Sequence, residues 1–194
     1  MQYPIRKGEN MVNQTARQQR NDERRRRILE AARLRADADG WSAVTMRHLA
    51  DAIGFTQPVL YGHFPGGKSE IMRAIALEGF VELTKRFGDA SGQLDRRSAI
   101  EAVATVYLEF GSEHPAVYEA MFQQPIDVQF ASDDTVDELR AGFDALAGAL
   151  GDDGGATTEL FWGALHGIML LEHAGRMRPE RRESRVSELV RRFD

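Results

Sequence analysis

Thr45-Met46-Arg47-His48-Leu49-Ala50-Asp51-Ala52-Ile53-Gly54-Phe55-Thr56-Gln57-Pro58-Val59-Leu60-Tyr61-Gly62-His63-Phe64 is the stretch whose reading decides the fold. Thr45 suits an N-cap, because its side-chain oxygen can accept an amide of the first helical turn. Met46, Leu49, Ala50 and Ile53 then fall at i, i+3, i+4 and i+7, which predicts a short helix with one apolar face. Gly54 ends it. Thr56 is placed to cap a second short helix over residues 57–64, with Pro58 in the first turn, where a helix tolerates proline. Two short helices about a glycine turn make a helix-turn-helix.

Such a pair can set the N-terminal residues of its second helix against base edges in the major groove, while the first helix and flanking groups hold the backbone. Thr56, Gln57, Pro58 and Val59 face outward at that end. Leu60 and Phe64, four apart, are expected to pack inward on Leu49 and Ile53. Tyr61 and His63 can donate to phosphate oxygens, and Lys68 can do so with its charge, contacts that position a protein without reading sequence. The competing reading is a plain corner of two packed helices.

Upstream, residues 1–21 are polar, hold Pro4 and Gly8 and show no apolar stripe, so they read as a flexible arm. Arg17, Arg20 and Arg24 to Arg27 lead into a helix with Asn21 or Asp22 as N-cap and Ile28, Leu29, Ala31, Ala32 and Ala36 as its apolar face, ending at Gly40. The arginine run is either a solvated helix face or a set of phosphate contacts. Downstream, helices are predicted from Lys68 to about Phe87, from about Ser98 to His114, and from Pro115 to about Phe122. A loop over residues 125–134 follows. Val136, Leu139, Phe143, Leu146 and Leu150 then repeat at spacings of three and four, a short heptad-like seam. A helix from about Thr157 to Gly175 is apolar nearly all round as far as Leu171, and Val186, Leu189, Val190 and Phe193 mark a last amphipathic helix. No strand alternation of useful length occurs. The expected fold is all-α, with an arm over 1–21, a three-helix head over 22–68 and a larger helical body over 69–194.

Charge divides the chain in the same place. Residues 1–70 hold 12 Lys/Arg against 8 Asp/Glu, a net +4, and residues 71–194 hold 13 against 22, a net −9. The overall −5 is therefore no objection to nucleic acid, whose affinity rests largely on phosphate neutralisation by a local basic surface. With no cysteine, disulfides and thiolate metal sites are excluded. The apolar run Leu160 to Leu171 is too short to cross a bilayer, and the first residues, Met1-Gln2-Tyr3-Pro4-Ile5-Arg6-Lys7, hold no export-signal core. The expected location is the cytoplasm, with Met11 a second candidate start.

The segment Thr45 to Ala50 followed by Gly54 to Phe64 resembles the N-terminal domain of the TetR family of transcriptional regulators, over about residues 24–83. That resemblance implies a DNA reader. It makes Arg47 and Gln57 the candidate base readers, lays Pro58 and Val59 against base edges or thymine methyls, and gives Thr45, Tyr61, His63 and Lys68 to phosphates. Arginine to guanine is the commonest specific contact, which favours Arg47. Two departures are visible: Phe64-Pro65-Gly66-Gly67-Lys68 is one residue longer than the family's usual spacing, which displaces Lys68, and Ala36 stands where an aromatic is common in the family's first helix, which implies looser packing against Tyr61 and Phe64. Phe161-Trp162-Gly163-Ala164-Leu165-His166-Gly167, with Leu170-Leu171-Glu172 and the earlier His114-Pro115-Ala116-Val117-Tyr118, resembles a TetR-type C-terminal domain with a Trp-His-Gly motif, over about residues 95–180. This second likeness implies an effector-binding and dimerisation domain with no fixed ligand.

Readers of this kind bind paired half-sites, so a two-fold homodimer on a palindromic operator is expected. The interface candidates are the seam Val136, Leu139, Phe143, Leu146 and Leu150, and Gly163, Gly167 and Leu171, whose helix glycines permit close approach; the alternative is burial of both helices within one subunit. A ligand pocket should be an apolar cavity with few polar groups, and Tyr107, Phe110, His114, Tyr118, Met121, Phe122, Trp162, His166 and Met169 supply that chemistry for a small apolar or amphipathic effector. The same residues would also make an ordinary core. Trp162, His166, Met169 and His173 share one helical face. His114, His166, Glu172 and His173 could in principle serve an enzyme, but 166 and 173 are seven apart rather than the i, i+4 of paired metal ligands. No catalytic residue, metal or cofactor is expected, and the functional expectation is a repressor released from DNA by a small molecule. Regulation without an effector, or a helical enzyme or interaction module, are the alternatives.

Overall fold

Capping chemistry sets most of the element ends. The structure, a computed structural model, describes residues 7–124, 136–152 and 155–194, with side chains in the first helix from Ala16 onward. Its helices are α1 (Lys7–Asp39), α2 (Met46–Ile53), α3 (Gln57–His63), α4 (Gly67–Ser91), α5 (Arg96–Glu113), α6 (Pro115–Phe122), α7 (Asp137–Leu150), α8 (Ala156–His173) and α9 (Arg182–Phe193), with 3-10 turns at Trp41–Ala43 and Pro179–Arg181. Among the described residues there is no strand, and the fold is all-α. No described helix is long and apolar enough to cross a membrane. The chain divides into two units, Met1–Ile71 and Met72–Asp194.

In the first unit, α1 packs on α2 and on the Trp41–Ala43 turn, and α2 packs on α3. Ile28, Leu29, Ala32 and Ala36 of α1 bury with Trp41, Val44, Met46, Leu49, Ala50, Leu60 and Phe64. The expected stripe of α1 is therefore its core face. Its start is not at Asn21 or Asp22, however: the helix runs from Lys7, through part of the stretch read as an arm. That part has no apolar stripe because its side chains from Arg17 to Arg24 are all exposed. Helix extension past a packed nucleus needs only compatible residues, and Gln and Arg are good helix formers.

In the second unit, α5 lies centrally, packing on α6, α7, α8 and α9, while α7 also packs on α8. Ile100, Val103, Ala104, Tyr107, Leu108 and Phe110 bury along α5. Asp95 caps α5 by accepting the Ser98 amide at 3.1 Å, so this helix starts slightly before the expected Ser98. Likewise α4 continues to Ser91, past the expected end at Phe87, with the Ser91 hydroxyl donating to the Phe87 carbonyl at 2.7 Å. Close approach is achieved at Gly111, where an added Cβ would stand 2.5 Å from Met169 Sδ and 3.1 Å from Tyr118 Cδ2. At the far end of α8, the Glu172 carboxylate is almost wholly buried and receives both Arg182 and Arg185. Arg182 also donates to the Ser112 hydroxyl at 2.8 Å, so the Glu172–Arg182 pair fastens α8, α9 and α5 together. The loop expected over 125–134 lies outside the described residues.

Candidate nucleic-acid interface and aromatic cluster

Local chemistry builds the reading helix in three steps. Thr45, in extended backbone, accepts the His48 amide at 3.2 Å and so caps α2. The His48 ring then turns back, its Nδ1–H donating to the Ala43 carbonyl at 3.2 Å. Gly54 ends α2 with φ +70°, a left-handed conformation that other residues adopt only at a cost. Thr56 stands at the N-cap of α3, as expected, but its side chain makes no capping bond. The reason is local: an N-cap oxygen serves the amide two or three residues on, Pro58 has no amide, and that of Val59 is taken by the Thr56 carbonyl at 3.0 Å. The Thr56 hydroxyl is left outside the helix's own bonding.

Leu60 and Phe64 are fully buried, which turns the other face of α3 outward. Gln57 and Pro58 are exposed, Val59 is 37% exposed and Tyr61 46%. Arg47 is exposed on α2 and, among the described residues, neither it nor Gln57 has an intramolecular side-chain hydrogen bond. Tyr61 lies against Gly67, where an added Cβ would be 3.4 Å from its Cε1. His63 is half-buried, and burial together with the nearby Arg24 and Arg25 charges holds its imidazole below the usual histidine range. The Lys68 ammonium donates to the Trp41 carbonyl, so one of its three donors serves the fold.

The arginine run has a role that the sequence alone left open. Arg27 Nη2 donates to the Ile53 carbonyl at 2.9 Å, and Arg25 Nη1 to the His63 carbonyl at 3.3 Å. These are the last residues of α2 and α3, so each guanidinium meets the negative end of a helix whose final carbonyls lack intrahelical partners. Arg25 also lies over the Phe64 ring at 4.2 Å, and Arg27 and Arg24 over the Phe55 ring at 5.0 and 5.9 Å. Arg26 instead pairs with Glu23 and Glu30 at the surface. The sequence signal was the i, i+3 placement of Arg24 and Arg27, but nothing in it named Phe55 as their partner.

In the second unit the expected pocket residues separate into groups. Tyr107 and Tyr118, both fully buried, have their hydroxyls 3.0 Å apart. Trp162 Nε1 donates to the Tyr107 oxygen at 3.3 Å, and the Tyr118 hydroxyl is 2.7 Å from His166 Nδ1. Phe122 packs among them, 4.8 Å from the Tyr118 ring, 5.4 Å from His166 and 6.1 Å from Trp162. Met169 and Met121 are buried packing, Met169 beside Gly111 and Met121 beside Gly79. His114 is elsewhere: it meets the Phe110 ring at 5.2 Å, and its Nε2 accepts from Arg86 at 3.1 Å within a group that includes Glu82 and Glu113.

The polarity of the tyrosine chain follows from its protons. Burial is the main cause that raises both phenols, so each keeps its proton. Indole nitrogen only donates, so the Tyr107 oxygen accepts there, and the Tyr107 proton has Tyr118 as its acceptor. The Tyr118 proton then passes to His166 Nδ1, which must be bare. Reversing the order would strand the Tyr107 proton inside the core, at about 1–3 kcal/mol. Burial also lowers the His166 imidazole, in keeping with a neutral ring whose proton sits on Nε2.

Of the expected interface residues, Leu139, Leu146 and Leu150 are buried within their own unit, and Val136 and Phe143 partly so, Phe143 lying edge-on to Trp162. On α8, by contrast, Leu160 is 68% and Leu171 38% exposed, and added Cβ atoms at Gly163 and Gly167 would meet nothing within 4 Å. Among the described residues no cluster of three or more His, Asp or Glu is arranged to hold a metal.

Comparisons with known proteins agree with this geometry. Residues 28–75 match the family model described as bacterial regulatory proteins, tetR family, and residues 100–193 match that described as tetracyclin repressor-like, C-terminal domain. The HTH-type transcriptional regulator Rv0681 of Mycobacterium tuberculosis is 28% identical over 160 residues, which cover 79% of this chain and 72% of that protein. A protein of unknown function from Rhodococcus sp. RHA1 superposes with a TM-score of 0.72 at 21% identity, over 87% of this chain and 92% of its own. The TetR family transcriptional regulator PfmR from Thermus thermophilus does so at 0.63 and 20% identity, over 84% and 97%. At such identities the two structures speak to the fold alone.

Proposed function

Because the chain belongs to the tetR family of bacterial regulatory proteins, and is a DNA-binding transcriptional regulator rather than an enzyme, we propose that it acts as a homodimeric repressor on a palindromic operator. The observation that carries this reading is the outward face of α3, where Gln57, Pro58, Val59 and Tyr61 are exposed over a fully buried Leu60 and Phe64. Arg47 and Gln57 read bases, Pro58 and Val59 contact base edges, and Thr45, Thr56, Tyr61, His63 and the remaining donors of Lys68 hold the backbone. This takes place in the cytoplasm. Selection of bound DNA from a random pool tests it: enrichment of a two-fold sequence supports the dimeric reader, and recovery of unrelated sequences refutes it.

The second copy is held through α8, along Leu160, Gly163, Gly167 and Leu171. Support comes from two apolar side chains exposed on a helix whose glycines leave room for a close partner. The seam of α7 contributes as the layer beneath, with Leu139, Leu146 and Leu150 already buried. Leu171→Glu is expected to give monomers on a sizing column and to abolish operator binding together, because each subunit reads one half-site.

Release from DNA follows binding of a small apolar or amphipathic molecule at the cluster of Tyr107, Tyr118, Phe122, Trp162 and His166. For such a molecule to act, it must bind the DNA-free arrangement more tightly than the DNA-bound one.

A further inference from the structure

Resting on that effector reading, we infer that His166 is the ligand-recognising group of the second unit, through its Nε2–H, and that its ligands are flat apolar molecules bearing a hydrogen-bond acceptor such as a carbonyl. The hydroxyl chain carries the argument. Trp162, Tyr107 and Tyr118 donate in one direction, toward His166 Nδ1, and each proton in the chain has an acceptor. The neutral imidazole must therefore hold its proton on Nε2, and among the described residues no hydrogen bond is made by that nitrogen. Among the described residues it is a donor with no protein acceptor, on a half-buried ring and not among the sealed-off polar atoms, so a ligand there would replace water.

Its surroundings select the rest of the ligand. Phe122 stands edge-on to the imidazole at 5.4 Å and Trp162 lies tilted at 6.5 Å, both themselves half-buried. Their faces suit a flat apolar body, while the one unfilled polar position asks for an acceptor. An ammonium, which has donors and no lone pair, would bring a donor to a donor. A hydrocarbon would cover the Nε2–H and leave it unpaired.

Two measurements on the full chain decide the matter. Long-range nitrogen–proton spectra of the histidine rings, with His166 assigned by its loss in His166→Gln, are expected to show the Nε2-protonated neutral tautomer at about pH 7.5, above the ordinary histidine range. A ring protonated on Nδ1 there would overturn the proposal. Isothermal titration then compares acetophenone, ethylbenzene and 1-phenylethylammonium, which share one ring and a two-carbon frame. The ketone is expected to bind about tenfold more tightly than the hydrocarbon, the effect of one satisfied donor, with the ammonium weakest. His166→Phe, which keeps an aromatic ring in place, should erase the ketone's advantage. No advantage in the parent chain, or one that survives His166→Phe, refutes the inference. A ketone that binds through His166 yet leaves the selected DNA complex intact refutes release by effector, while the recognition at His166 stands.

Discussion

Arg47 is exposed and, among the described residues, its side chain is bonded to no other side chain or carbonyl, so ordering it on a guanine breaks no existing contact. Arg47→Ala is expected to weaken specific binding by about 1–3 kcal/mol and to relax the preference at one base pair, as measured by titration against the selected sequence and its single-base variants. An unaltered preference would remove Arg47 from the readers. Glu172 is the opposite kind of residue, an acid committed to the fold. Burial alone would raise its carboxyl, but the bonds from Arg182 and Arg185 reverse this and hold it below the usual glutamate range. A carboxylate lowered in the folded state contributes stability above its unfolded pKa, and that contribution is lost as pH falls through the folded value. Glu172→Gln should therefore cost about 2–3 kcal/mol near neutral pH, less than a fully buried pair because Arg182 still reaches water. The gap to the parent should close below about pH 4 in denaturant titrations, as the carboxyl takes up its proton. The chemical types at both sites were legible in the sequence. The partners of Glu172 were not: nothing within a few residues of it announces Arg185, just as nothing near His114 announces Arg86.

Helices α2 and α3 were legible almost to the residue, because Thr45, Gly54 and Pro58 are punctuation whose effect is local. Helix α1 was legible only where it packs, since a solvated polar helix and a polar arm present the same pattern. The seam of α7 was legible as an apolar stripe, while periodicity is silent on whether a stripe meets its own chain or another. What neither cap nor stripe revealed is how α3 is kept in place. With no side-chain cap at Thr56, its order depends on Leu60, Phe64 and the Arg25 guanidinium at its last carbonyl. Arg25→Ala should speed amide exchange in α3 by about tenfold, the equivalent of one charged hydrogen bond and one ring contact, while exchange in α5 is unchanged. Equal change in both helices would mean that Arg25 supports the chain at large rather than α3.

For the whole molecule, the division between a basic head and an acidic body is plain from the order of charges along the chain, and it coincides with two units and two family matches. The contents of the basic head were less visible. Arg25 and Arg27 are held by helix-end carbonyls, Arg26 by Glu23 and Glu30, Arg35 by Asp39, and Lys68 by the Trp41 carbonyl. A basic side chain held against its own protein, by a carboxylate that neutralises it or by a carbonyl that fixes its position, is less free to reach a phosphate, although Lys68 keeps donors to spare. Counterion release should then follow the unengaged groups, with a slope of about −0.9 in log affinity against log salt for each phosphate contacted. Titrations across salt concentration are expected to give a slope well short of what 12 basic residues per head would produce. Most of the arginine run works as internal mortar for the reader, and binding would accordingly lose less of its strength as ionic strength rises than the composition suggests.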